Sequence, residues 1–197
     1  SLKALNYCNN LFSFNNTILF SNQNFQTDIN QVNISSLNSI KEYNNFVLSL
    51  NRYIESDFVL IIQDDGHIVN PKMWLDEYLE YDYIGAPWPN SRKWKSRFKK
   101  KYNKQTADQI TKNIDKNQVG NGGFSLRSKK FLEYSSSFAD CNDIDEDIFL
   151  CIYNYEVARD FGINFAPFST AKNFSYEMSM KKFIKYHETK NKKFYLE

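Results

Sequence analysis

Between residues 40 and 54 the apolar positions are Ile40, Tyr43, Val47, Leu50 and Ile54. Spacings of three and four put them on one helical face. Ser39 with Glu42 forms a capping-box pair at the start of that helix. The next segment, FVLII (58–62), is apolar at every position. Such a run predicts a strand covered on both faces, and an amphipathic helix feeding it predicts an α/β layer.

The remaining pattern supplies further elements. SLKALNYCNNLF reads as a helix already under way, and TILFS (17–21) as a short strand. Asn70-Pro71 offers an N-cap and a proline at the first helical position, predicting a short helix over 72–81. Residues 83–86 read as a strand ended by Pro87-Trp88-Pro89. After a glycine cluster comes a strand-like FSLR, and Ser128 can cap a helix through Tyr134. Asp143 or Asp145 can cap a longer helix over 146–160, closed by Gly162, with a last strand at 163–166. There is no internal repeat and no flexible linker, so the 197 residues are read as one α/β domain.

Composition narrows the class. Hydrophobic residues make up 42% and aromatics 17%, which excludes a disordered chain. A net charge of +2 argues against nucleic acid as the main partner. No apolar run approaches a membrane span and no signal-peptide pattern opens the chain. Cys8, Cys141 and Cys151 are odd in number and lack metal-type spacing, which reads as reduced thiols in the cytoplasm.

Four stretches can carry chemistry. The first is Gln63-Asp64-Asp65-Gly66 at the end of FVLII. Asp-Gly between apolar runs is a hairpin signal, and the residues alone favour that reading. Carboxylates there also suit Mg²⁺ or Mn²⁺, which bind through one or two carboxylates plus substrate phosphates. The second is Gly120-Asn121-Gly122-Gly123, where glycines allow close backbone approach or merely enter a strand. The third, Asp143, Asp145, Glu146 and Asp147, sits at a helix start, where acids are favoured by the dipole and where one could act as a general base. The fourth is the basic run from Arg92 to Lys104 with Trp94, Phe98 and Tyr102. It reads as a solvated loop or as a binder of nucleic acid or an anionic membrane surface. Histidine is scarce, at His67 and His187.

Taken in order, QDDG after FVLII, YDYIGAPW (81–88), VGNGGFSLRS (119–128), DEDIFLC (145–151) and INFAPFSTAKNFSYE (163–177) resemble a bacterial and viral glycosyltransferase-like family. That family belongs to the nucleotide-diphospho-sugar transferase superfamily with the GT-A fold, and the likeness runs from about Ser36 onward. The resemblance implies a Rossmann-like sandwich, a mixed sheet flanked by helices. Domains of that class begin with a strand that this chain lacks, so either a segment precedes Ser1 or the sheet is completed differently. Residues 92–105 then look like a basic insertion or flap.

The resemblance also assigns roles. Asp65 matches the acid of a Gln-x-Asp-Gly motif that holds the cation, with Asp64 at the variable position and Gly66 beside it. Asp147, with Glu146, matches the acceptor-activating base. His187, in Phe183-Ile184-Lys185-Tyr186-His187, resembles a third metal ligand, although the glycine of that element is absent. Asn121, Gly122 and Gly123 would shape the donor or acceptor pocket and Trp88 would stack on a sugar ring. The implied activity is Mn²⁺- or Mg²⁺-dependent transfer of a sugar from a nucleotide-diphospho-sugar donor, with inversion, to a glycan, lipid-linked or protein acceptor. The implied location is the cytoplasm or the inner face of a membrane. Two alternatives stand beside it: a catalytically silent nucleotide- or sugar-binding domain of the same fold, and an anionic-surface binder acting through residues 92–104.

Overall fold

The computed structural model describes residues 2–89 and 91–177. The chain opens in α1 (Leu2–Leu11), which buries Ala4 and Cys8. Strand β1 (Ile18–Ser21) then pairs in parallel with β2 (Asn30–Asn33). Strand β2 is not foreseen in the sequence, because NQVN has a single apolar residue and no alternation.

Helix α2 (Ile40–Leu48) starts at Ser39, whose hydroxyl accepts the Glu42 N–H at 3.1 Å. The Glu42 carboxylate accepts from the Asn38 N–H at 2.6 Å, one residue earlier than a reciprocal box requires. The helix tightens into a 3₁₀ turn at Leu50–Arg52, and Ile54 lies beyond it. Val47, Leu50 and Ile54 are nevertheless buried together with Leu132, so the predicted face survives the break.

Strand β3 (Phe58–Ile62) is the expected FVLII. The helix expected over 72–81 is instead two 3₁₀ turns, Pro71–Met73 and Asp76–Glu80. Between them Trp74 is extended and packs against Phe12 and Tyr78, so aromatic packing overrides the helical pattern. Asn70 still caps the first turn, accepting from the Lys72 N–H at 3.1 Å. Strand β4 (Tyr83–Gly85) follows.

The basic run forms helix α3 (Arg92–Lys101) rather than a loop or flap, and α4 (Lys104–Asn113) continues from it. Phe98, Ala107, Ile110 and Ile114 join the main core, with Trp94 and Tyr102 packed at its margin. Strand β5 (Phe124–Ser128) runs antiparallel to both β3 and β4, giving the order β3-β5-β4. Helix α5 (Lys129–Ser136) begins at Ser128, whose hydroxyl accepts the Phe131 N–H at 3.0 Å.

The long helix expected over 146–160 is interrupted. A helical turn α6 (Glu146–Ile148) passes into a π turn, Phe149–Tyr153, and then α7 (Tyr155–Asp160). Gly162, at φ +85°, ends it in the left-handed region as expected. Residues 163–166 make only one parallel bridge, Tyr83 to Phe165, instead of a strand, and α8 (Phe168–Phe174) closes the described chain.

The result is a mixed α/β protein in which small sheets are flanked by helices; among the described residues the strands form two separate sheets. Phe58 and Leu60 face the main core, while Val59 and Ile61 face the α2 cluster together with Ile18 and Phe20 of β1. Both faces of β3 are therefore covered, yet all five residues are only partly buried. The reason lies at its edges: among the described residues β3 pairs only with β5 and β1 only with β2.

Candidate active site

Strand pairing carries two of the predicted segments to one end of the sheet. The ladder places Ile62 opposite Phe124, and it continues as the Gln63 N–H donates to Gly123 O at 2.8 Å. The next residues form a tight turn, Gly66 N–H to Gln63 O at 3.1 Å. It is a turn without a hairpin, since no strand follows and Ile68-Val69 stays irregular. Asp64 and Asp65 stand exposed on this turn, while Gly66 is buried beneath them. A side chain at Gly66 would press on Gly123 O and on the Phe124 ring, both at 3.3 Å.

The glycine loop is packed from three sides. A Cβ at Gly120 would fall 1.8 Å from the Trp88 ring, one at Gly122 2.5 Å from Glu146 Oε2, and one at Gly123 2.6 Å from Gln63 Oε1. Asn121 adopts φ +64° and its side-chain oxygen accepts the Gly123 N–H at 3.2 Å. The glycines therefore allow close approach of backbone to acid, and Asn121 supplies the left-handed bend.

Trp88 is corrected by its burial. It is 3% exposed, its ring lies against Gly120, and its indole N–H donates to Glu177 at 3.1 Å. It has no open face for a sugar and serves as the wall behind the glycine loop.

Asp147 and Glu146 arrive on α6 with different environments. Both Asp147 oxygens accept backbone N–H groups, Gly122 at 3.1 Å and Ile148 at 2.8 Å. Burial, then the neighbouring charge of Glu146, pushes its carboxyl up to about 7, against those two hydrogen bonds. Glu146 is 3% exposed and turned to Arg127, which is 0% exposed, at 2.6 Å. Burial alone would lower the affinity of the guanidinium for its proton, but Glu146 outweighs it and holds Arg127 charged. Arg127 also donates to Ser125 Oγ at 3.0 Å and lies over the rings of Tyr83 and Phe131. Glu146 is thus occupied by an ion pair; Asp147, partly open to the surface, is the acid available for chemistry.

Neighbouring elements hold this acid in place. The π turn leaves carbonyls out of register, and buried amides take them: Asn117 donates to Cys151 O at 2.8 Å and Asn113 to Ile152 O at 2.9 Å. Asn44 on α2 donates to Ile144 O at 2.9 Å. Asp145, at the N-cap position, makes no side-chain cap; it pairs with Lys101 and accepts from the Tyr102 hydroxyl at 3.1 Å. Asp143 adopts φ +59° in the preceding turn and does not cap the helix either.

Several site residues escaped the sequence reading. Tyr43 accepts a hydrogen bond from Gln63, and burial with the charge of Glu146 pushes its hydroxyl up to about 12. Arg127 was readable only as a cation after an apolar strand residue, a position that needs a buried acid. Glu177 is held above the ordinary carboxylate range by partial loss of hydration and by the charge of Asp65, against the Trp88 hydrogen bond and Arg97. A second carboxylate therefore lies within electrostatic reach of Asp65. His187 lies outside the described residues, and among those residues no group of three or more His, Cys, Asp or Glu could hold a metal ion. A surface cavity of about 340 Å³ lined by Tyr155, Arg159, Phe165 and Phe168 includes none of the predicted site residues.

A small antiparallel sheet presenting a carboxylate turn, a glycine loop and a buried ion pair at one end defines the class: an α/β protein with a polar site at the strand ends. The chain belongs to the family described as protein of unknown function (DUF5672), whose model matches residues 26–192. No curated protein and no solved structure matches it.

Proposed function

We propose that the chain is a metal-dependent glycosyltransferase of the GT-A type, built on a Rossmann-like core and using a nucleotide-diphospho-sugar donor. One observation carries this reading. Asp147, a carboxyl with a proton affinity near neutrality, is hydrogen-bonded to the glycine loop that is itself laddered to the Asp65 turn. A general base works best when its pKa lies near the working pH, and most aspartates are far too acidic. The GT-A assignment itself rests on the motif resemblance.

The residues present fit a hard divalent cation. Asp65 is an exposed carboxylate on a turn, and Glu177 lies close enough to feel its charge. Two carboxylates plus donor phosphates match the way Mg²⁺ and Mn²⁺ are held. Bound there, such an ion would neutralise charge on a departing diphosphate. The chain's own groups do the rest. Asp147 accepts the proton of an acceptor hydroxyl as that oxygen attacks the anomeric carbon and the nucleoside diphosphate leaves, which inverts the configuration. The Gly122 and Ile148 N–H groups keep Asp147 oriented, and the like charge of Glu146 helps to keep it basic. Asn121 of the glycine loop, partly exposed, and Asp64 of the turn, exposed, lie on the segments that link Asp65 to Asp147.

The test is a thermal-shift panel of UDP-, GDP- and CMP-sugars with and without Mn²⁺, followed by donor hydrolysis or transfer. The expected outcome is stabilisation by one nucleotide class only when Mn²⁺ is present. Asp65→Ala should abolish that stabilisation, whereas Asp147→Ala should keep it and lose turnover. Wild-type rates in both variants would overturn the assignment.

A further inference from the structure

Helix α3 distributes its charge in a way that helix stability does not explain. Between Arg92 and Lys104 there are eight cations and no acid, in a chain whose net charge is only +2, so the rest of the chain is net acidic. Arg92 and Lys93 occupy the first turn, where the helix dipole disfavours positive charge.

The cations divide by face. Phe98 is buried and Trp94 partly so, which fixes the inward side. On its flanks Lys95 pairs with Asp115 at 2.8 Å, Lys101 pairs with Asp145, and Arg97 lies over the Trp94 ring at 4.7 Å. At about 100° per residue, Arg92, Lys93, Lys99 and Lys100 share an outer arc of roughly 120° centred on Ser96. All four are exposed, and none has an ion-pair partner among the described residues.

We infer that this outer face of α3 docks the protein on an anionic lipid bilayer. On a helix of ten residues, four cations on one side with no ion-pair partner among the described residues can meet a plane of headgroups together. Nucleic acid fits less well, for two reasons on the same helix. Its aromatic residues turn inward, so no exposed ring offers a stacking platform for bases. Asp115 and Asp145 already neutralise Lys95 and Lys101 on the two flanks, so the uncompensated charge is confined to the outer arc and does not wrap round the helix as a groove for a strand. A plane touches only the outermost side chains and needs no groove. The inference is independent of sugar transfer and is read by binding alone.

The experiment is co-sedimentation of the full chain with phosphatidylcholine vesicles, with and without phosphatidylglycerol, at low and high ionic strength. Binding should require phosphatidylglycerol and fall steeply with salt. A lysine near an anionic surface contributes roughly fivefold in affinity. The triple variant K93E/K99E/K100E should therefore bind about a hundredfold more weakly or worse. A charge-matched control, K3E/K41E/K72E, reverses exposed lysines on other elements and should lose far less. Equal loss in both would mean that net charge, not this face, drives adsorption, and would overturn the inference. So would salt-insensitive binding, or a single- or double-stranded oligonucleotide that binds more tightly than the vesicles and loses affinity in the same variant. Thermal melts check that the variants fold; should the triple variant not fold, K99E alone must still weaken vesicle binding several-fold.

Discussion

At the scale of single residues, Asp147 makes two opposing demands on pH. Its carboxyl holds a proton up to about 7 in the folded chain, well above the ordinary aspartate value. The folded state therefore binds that proton more tightly than the unfolded chain does. Its contribution to stability is full below pH 4 and declines as pH rises toward 7, levelling off above it. Asp147→Asn should remove the decline, but its amide can accept only one of the two backbone N–H bonds, so the variant should be less stable than the parent at pH 5, by about 1–3 kcal/mol, and close to it at pH 8. Urea denaturation at pH 5 and pH 8 measures the difference. On the proposed function, with Asp147 as base, turnover should show the opposite dependence, rising through pH 7 in the parent and being lost in the variant. The Arg127–Glu146 pair gives a second residue-scale expectation. Removing one partner, as in Glu146→Gln, leaves a buried guanidinium uncompensated and should cost about 3–5 kcal/mol. Replacing both with apolar residues of similar size should cost much less, which a double-mutant comparison reads directly.

At the scale of elements, what the sequence reveals follows from where each element gets its stability. FVLII, the Ser39 and Ser128 caps and the Gly162 stop are local, and all are present where periodicity and capping predict them. Helix α4 went unread because KQTADQITKN carries a thin apolar stripe; besides Ala107 and Ile110 it buries Asn113, whose amide donates to Ile152 O. The π turn went unread for the complementary reason, since only a donor from another element makes its displaced carbonyls tolerable. The same logic applies to the site. Asp65, Gly122, Gly123 and Asp147 could be named from motifs, but the pairing of Glu146 with Arg127 is a tertiary fact that no spacing reports. Asn113→Leu tests the coupling between α4 and the π turn. Leaving Ile152 and Tyr153 carbonyls without that amide should cost about 1–3 kcal/mol or more in urea denaturation, since the leucine keeps the branched shape but adds bulk to a buried position. Gly120→Ala should cost a similar amount by driving a methyl into the Trp88 ring.

At the scale of the whole molecule, charge and edges are both unevenly distributed. Eight cations fall between Arg92 and Lys104, in a chain whose other residues together are net acidic. The sheets are uneven in another sense. Toward β5, the Gln63 N–H reaches Gly123 O at 2.8 Å and the Lys129 N–H reaches Asp57 O at 2.7 Å. Antiparallel alternation then turns Val59 and Ile61 toward β5, and the N–H groups of Phe58, Leu60 and Ile62 the other way. Strand β3, apolar at every position, should therefore have a two-residue rhythm in deuterium uptake. Amides at Val59, Ile61 and Gln63 should exchange only through opening of the sheet, and those at Phe58, Leu60 and Ile62 orders of magnitude faster. Slow exchange at all six would reveal an additional strand lying along that edge, and the protein would then be a sheet completed from elsewhere.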